Sequence, residues 1–248
     1  MAVYVYDGTF DGLLAAVALA LETGGEPDDI SEIPPAQGTL FHGVVQVEED
    51  HRSPDEIFKA VAPSISDHAL RDAFHAFLSG APDVEMLVYR YLRFGKEVGS
   101  RLDRLLSHDL VYPVCALALK VRREAHRMKG FVRFGLVAEG FYYARIEPDY
   151  QILPLIAPHF ADRFSDQHWI IHDTRRGRAI IHDAALKKWV IAELELLEKP
   201  ELTAGERFYR NLWKKYFTGL AVEERLNPRL QRQNLPLKCR PFLAEMEV

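Results

Sequence analysis

Trp169-Ile170-Ile171-His172-Asp173-Thr174-Arg175-Arg176-Gly177-Arg178-Ala179-Ile180-Ile181-His182-Asp183 is the stretch on which the fold turns. Two β-branched runs flank a turn that ends in glycine, a pattern that predicts an antiparallel hairpin. A type I turn at Arg175-Arg176, with Gly177 left-handed as a bulge, would close it. In that register Ile171 faces Ile181 and His172 faces Ile180. Trp169, Asp173 and Asp183 then share the Ile171 face, and His182 shares the face of Ile170 and His172. Isoleucine on both faces predicts a sheet covered on both sides. His and Asp on the strands, with Arg175, Arg176 and Arg178 at the tip, read either as a working site or as a core hairpin with solvated ends.

Upstream of the hairpin, Phe131 to Val137 and Phe141 to Ile146 predict a second hairpin turning near Glu139-Gly140, and Leu153 to Phe164 a short helix carrying His159. Downstream, Leu186 to Ala192 predicts one more strand. Thr203-Ala204-Gly205-Glu206 has the form of a capping box for a helix reaching about Leu220. Asn227-Pro228 breaks that helix, and a helical piece and an apolar tail follow. Nearer the N-terminus, Val3 to Tyr6 reads as a short strand and Thr9 as the cap of a buried helix over Phe10–Glu22. A surface loop is expected over Gly24–Gln37 and a strand over Leu40–Val47. Helices are expected over Pro54–Ala62, Asp67–Leu78, Val84–Leu106 and Tyr112–Met128. The whole reads as α+β. A helical N-terminal part with a short strand, residues 1–110, precedes a mostly antiparallel β-β-α-β-β-β sheet with flanking helices, residues 111–248. The two parts are either separate or one continuous globule.

The chain has 248 residues, 48% hydrophobic and 27% charged, with a formal net charge of -5. That charge is unevenly spread. Residues 1–119 hold 8 Lys and Arg against 19 Asp and Glu, whereas residues 120–248 hold 23 against 17. A basic C-terminal side is compatible with a polyanion surface, or with attraction between the two halves. Cys115 and Cys239 are the only cysteines. Two thiols exclude a cysteine-ligated iron–sulfur cluster within the chain and argue against a disulfide framework, so a reducing cytoplasm is expected. No basic region precedes the first apolar run, and that run, Leu13 to Leu21, is about half the length of a membrane span. No membrane contact is expected.

The helix over Tyr112–Met128 changes character midway. Lys120, Arg123 and Arg127 form one stripe at helical spacing, with Lys129 just beyond. Such a stripe reads as a phosphate contact, or as cations complementing the helix dipole on a solvated face. Arg133, Arg175, Arg176 and Arg178 extend the candidate nucleic-acid set. Phe131, Phe134, Tyr142 and Tyr143 interleave with it, either as base-stacking rings or as core. Asp7-Gly8-Thr9-Phe10-Asp11-Gly12 lacks a Walker lysine, and its aspartates repel phosphate. His159, His172, Asp173, His182 and Asp183 lack the helical metal spacing, so no metal and no other cofactor is expected. No nucleophile motif is present, and neither cysteine has an evident activating neighbour.

Several segments together carry a resemblance. They are Tyr4-Val5-Tyr6-Asp7-Gly8-Thr9-Phe10-Asp11-Gly12, Glu124 to Phe134, His159 to Phe164 with Trp169 to Asp173, Leu212 to Phe217, Glu224 to Asn227, and Leu235-Pro236. The chain resembles a bacterial DNA-metabolism or DNA-repair family. Its members stand beside a DNA-repair radical SAM protein or are fused ahead of a uracil-DNA glycosylase-like domain. The resemblance implies a DNA-repair accessory that binds DNA or the radical SAM partner, and it spans nearly the whole chain. Ending at Val248, the chain resembles the stand-alone form. The alternatives are an enzyme acting on damaged bases or nucleotides and a protein-interaction module without nucleic-acid contact. The resemblance nominates Arg133, His159, Arg163, Trp169, Asp173, Trp213, Arg225 and Asn227. An enzyme would be built on Asp173, His159, Arg133 and Arg163. Leu237-Lys238-Cys239-Arg240 departs from the family pattern, which has aromatic residues after the proline.

Overall fold

Val3, Tyr4 and Val5 are buried on the central strand of a small parallel sheet, the scaffold of the first of two units. A computed structural model of the chain describes residues 2–34, 43–47, 65–196, 200–221 and 227–246. The units are Met1–Arg122 and Arg123–Val248. In the first, β1 (Ala2–Val5) is flanked in parallel by β2 (Asp29–Ser31) and β3 (Gly43–Gln46). The expected loop over Gly24–Gln37 therefore contains a strand. Three residues are too few for a periodic signal, and Ile30, 1% exposed, gains its place by tertiary burial.

Gly8 takes φ +80° where the chain leaves β1. Asp7 accepts bonds from the Thr9 amide (2.9 Å) and hydroxyl (2.7 Å), and the Thr9 hydroxyl accepts from Gly12 N (2.9 Å). Asp7 is thus a turn residue that presents the helix cap. The helix it starts, α1 (Phe10–Thr23), is buried along most of its length. Ser66 caps α2 (Asp67–Phe77), and α3 (Val84–Val98) gives way to a 3₁₀ turn over Gly99–Arg104. The single helix expected to Leu106 ends early because Gly99 adopts φ +58°. The helix expected over Pro54–Ala62 and the first residues of the Leu40–Val47 strand lie outside the described residues. Asp72 of α2 is buried and takes Arg122 at 2.9 Å and the Cys115 thiol at 3.6 Å. Burial and Asp72 push that thiol up to about 11, the reverse of an activated nucleophile.

The unit boundary falls inside α4 (Tyr112–Phe131). This helix runs past the expected end at Met128, and Val132 N still reaches Met128 O at 3.1 Å. Gly130 alone costs a helix only about 1 kcal/mol. Phe131 therefore closes the helix rather than opening a strand.

The second unit holds a five-stranded sheet in the order β4-β5-β6-β7-β8. Its strands are β4 (Gly135–Ala138), β5 (Phe141–Ile146), β6 (His168–Asp173), β7 (Arg178–Asp183) and β8 (Lys188–Glu193). All neighbours are antiparallel except β5 and β6, which the helix α5 (Leu153–Arg163) connects in parallel. The hairpin is present, but its register differs by one residue: Ile171 faces Ile180 and His172 faces Ala179. The loop has four residues, Thr174 to Gly177, because Asp173 begins the turn. Its carbonyl accepts from Arg176 N (3.3 Å) and its side chain from Arg175 N (3.1 Å). A one-residue slip moves every side chain of one strand to the other face. His182 thus shares the face of Trp169, against which its ring stacks at 4.9 Å, and Asp183 shares the face of His168.

Trp169, Ile171, Ile180, Ile156 and Phe160 form the core beneath α5. Phe134 packs edge-on to Phe160, Phe164 and Trp169 at 5.4–5.8 Å, so it belongs to this core. Helix α6 (Ala204–Leu220) starts where the Thr203 hydroxyl accepts from Glu206 N at 3.2 Å. Asn227 caps α7 (Pro228–Asn234), and 3₁₀ turns over Leu237–Phe242 and Ala244–Met246 follow. Among the described residues, no helix is long and apolar enough to cross a membrane.

Candidate functional site: an aromatic groove beside a charged clamp

The tip of the β6–β7 hairpin is held by a clamp of ion pairs within the second unit. Asp173, 1% exposed, takes the Arg176 guanidinium at 2.9 Å, and Arg176 also donates to the carbonyls of Pro148 (3.1 Å) and Asp149. Arg175 reaches Asp149 at 3.4 Å. Glu124 of α4, 3% exposed, accepts from the amides of Asp149 (3.0 Å) and Tyr150 (2.9 Å) and from Lys238 Nζ (2.6 Å). Lys238 bonds Asp149 as well. One loop, Pro148 to Tyr150, is thereby tied to α4, the hairpin tip and the C-terminal tail.

The residues nominated for chemistry have separate partners. Asp173 faces Arg176, and Arg133 donates to the Gly130 and Val132 carbonyls and to Glu245. The His159 ring meets Phe160 edge-on at 5.0 Å, and Arg163 lies exposed over Phe164 at 5.7 Å. No side-chain hydrogen bond joins any two of these four. Of the nominated cations, Lys120, Arg123, Arg127 and Arg178 are exposed and Lys129 is half-buried. Among the described residues, no three His, Cys, Asp or Glu side chains gather as a metal ion would need. Arg225 lies outside the described residues, and Asn227 serves as a helix cap.

Two of the sheet histidines, His172 and His182, are buried. His172 Nδ1 lies 2.8 Å from the Tyr143 hydroxyl, and His182 Nδ1 lies 2.9 Å from the Gln167 carbonyl. Burial holds His172 below the usual histidine range, against the opposing pull of a Leu194 backbone bond and of Asp173. Its folded pKa lies below its unfolded one, so the unfolded chain binds more protons as pH falls through about 6.5. Stability contributed by neutral His172 is therefore present above that pH and lost below it. All three tryptophans lie in the second unit, so their fluorescence reads that unit alone. Unfolding followed this way is expected to show lower stability at pH 5.5 than at pH 7, with a smaller difference in His172→Gln.

A larger feature lies along α6. Leu212, Tyr216, Tyr209, Leu220 and Trp213 fall on one stripe of this helix at 100° per residue, and Arg210, Lys214 and Arg207 form the adjoining stripe. None of its residues is buried: Tyr209 is 67% exposed, Tyr216 57% and Trp213 46%. Opposite stand Arg133 and Phe134 before β4, and Ala244 and Glu245 of the tail. Between them runs an open groove of about 810 Å³, within the range of ligand clefts. Trp213 and Tyr216 stack at 5.6 Å with 27° between their planes. The Trp213 indole donates to Glu245 Oε2 at 3.3 Å, and Arg133 bonds Glu245 Oε1 at 3.1 Å. Burial pushes the Glu245 carboxyl up, but its backbone amide, Arg133 and Trp213 outweigh that and hold it below the usual range. Arg133 and Trp213, far apart in the chain, thus meet on one carboxylate.

The family model that describes a domain of unknown function, DUF4130, matches residues 82–245, from α3 to the tail. The chain belongs to this family. The matched DUF4130 region contains every wall of the groove and the whole Glu124–Asp149–Asp173 clamp. No curated protein and no solved structure matches the chain.

Proposed function

We propose that this DUF4130 chain is a nucleic-acid-binding accessory in DNA repair or DNA metabolism, working beside a radical SAM partner. The DNA-repair setting rests on the resemblance of its motif segments. The observation that carries the binding role is α6, where an aromatic stripe adjoins a cationic one on a helix with no buried residue. Large exposed aromatic surface marks an interaction site, and cations beside it favour a polyanion. The exposed stripe Lys120, Arg123 and Arg127 adds phosphate contacts on α4. Asp173 is a structural residue in this reading, since its carboxylate is enclosed by the Arg176 guanidinium and the Arg175 amide.

The test is a titration of labelled DNA at several salt concentrations. Binding is expected to weaken steeply with salt, because each neutralised phosphate releases counterions. Alanine at Lys120, Arg123 and Arg127 together is expected to flatten the salt slope by about 2–3 units with the fold intact. No DNA binding even at low salt would sink the proposal. The second reading, docking of a protein partner, draws on the seven large apolar residues exposed along α6. It predicts that the radical SAM protein co-purifies with the wild type and is lost on Trp213→Ala without DNA being bound.

A further inference from the structure

We infer that the α6 groove takes unpaired bases of single-stranded DNA, stacked on a Trp213–Tyr216 platform that Arg133 and Glu245 hold in place. This rests on the nucleic-acid reading and names the form of DNA and the way it is held. A duplex presents phosphates and base edges but buries its base faces, so a ridge of ring faces gains nothing from it. A single strand offers both a π-face and a phosphate at every nucleotide. The two stripes of α6 match that repeat, with rings on one side and Arg207 and Lys214 on the other. Glu206 pairs with Arg210 at 3.0 Å, and Arg207, Lys214 and Lys215 give the helix a net positive charge that favours the polyanion over an apolar helix of a protein partner.

The platform is set before any ligand arrives. Glu245 is tied to Arg133, whose guanidinium is itself fixed on the Gly130 and Val132 carbonyls, and the same carboxylate fixes the indole. A ring already ordered loses less freedom on binding. Arg133 and Glu245 are in this account positioning residues, acting through Trp213.

The experiment compares oligo(dT) of about 15 nucleotides, near the upper end of single-strand site sizes, with a duplex of equal length and with oligo(U). Oligo(dT) is expected to bind about tenfold tighter than the duplex and to quench the Trp213 emission, identified by its loss in Trp213→Phe. Trp213→Ala with Tyr216→Ala is expected to weaken oligo(dT) binding about 10- to 100-fold, and Trp213→Phe by only about threefold. Tyr209→Ser, on the same stripe, repeats the test if the double variant does not fold. Glu245→Ala is expected to weaken binding about fivefold in the wild type and to change nothing in the Trp213→Phe background, where the indole bond is already absent. Duplex bound as tightly as oligo(dT) overturns the stacking inference while leaving DNA binding intact. Failure to bind either nucleic acid overturns both. Tighter binding of oligo(U), undiminished binding by the double variant, or self-association that the double variant abolishes would each overturn the assignment of the groove.

Discussion

Glu124→Ala is expected to cost the second unit about 3–5 kcal/mol, the range for removing one partner of a buried ion pair. The carboxylate is 3% exposed and receives two amides and an ammonium. Its loss strands the amides of Asp149 and Tyr150, each at about 1–3 kcal/mol, and leaves Lys238 without its inner partner. Glu124→Gln keeps an acceptor but no charge, so about half the loss is expected. Lys238→Ala is expected to cost less than either, because the side chain is 33% exposed and both amides keep their acceptor. Urea unfolding followed by tryptophan fluorescence checks the order, with an unchanged slope showing that stability alone has moved. Equal stability of Glu124→Ala and the wild type would mean the loop Pro148–Tyr150 is held by something else.

Asp173→Ala is the second large effect, a loss of about 3 kcal/mol. It removes the acceptor of Arg175 N and the partner of Arg176, whose side chain is only 23% exposed. Asp173→Asn retains the turn bond and is expected to lose about 1–2 kcal/mol. DNA affinity per folded molecule is expected to stay unchanged in both. This outcome separates a structural carboxylate from a catalytic one. An Asp173→Asn protein as stable as the wild type, yet devoid of an activity on damaged nucleotides that the wild type has, would restore the enzyme alternative.

The sheet was legible because its signals are local. The β-branched Ile-Ile-His-Asp runs and the glycine turns each state their element within a few residues, as the cap at Thr203 does for α6. The register of the hairpin was not legible, since it depends on whether Asp173 or Thr174 begins the turn. That choice is settled by a side-chain bond to Arg175 N and by the Arg176–Asp173 pair, neither of which has a periodicity. Strand β2 escaped for a related reason: its three residues are strand because Ile30 is covered by neighbours.

The roles of the charged residues were less legible still. Arg175 and Arg176 read as tip cations for a polyanion, but Asp149 and Asp173 stand against them. Asp149 lies 26 positions before Arg175, and nothing in local composition announces that pairing. Trp213 and Arg133 were reached through motif resemblance, whereas their common partner Glu245 carries no sequence signal. Amphipathic spacing in α6 predicts a helix equally well whether its apolar stripe is buried or open. Only the exposures of Tyr209, Trp213 and Tyr216 distinguish the two, and they make the groove the candidate site.

Backbone hydrogen exchange, measured with and without saturating oligo(dT), tests the central claim most directly. Amides of α6 and of the tail from Leu243 to Met246 are expected to exchange more slowly in the complex, because the ligand lies between those two walls. The clamp around Glu124 and Asp173, buried and hydrogen-bonded in the free protein, is expected to change little. Bound oligonucleotide with no added protection in α6 and the tail, or with protection confined to other elements, would contradict the account.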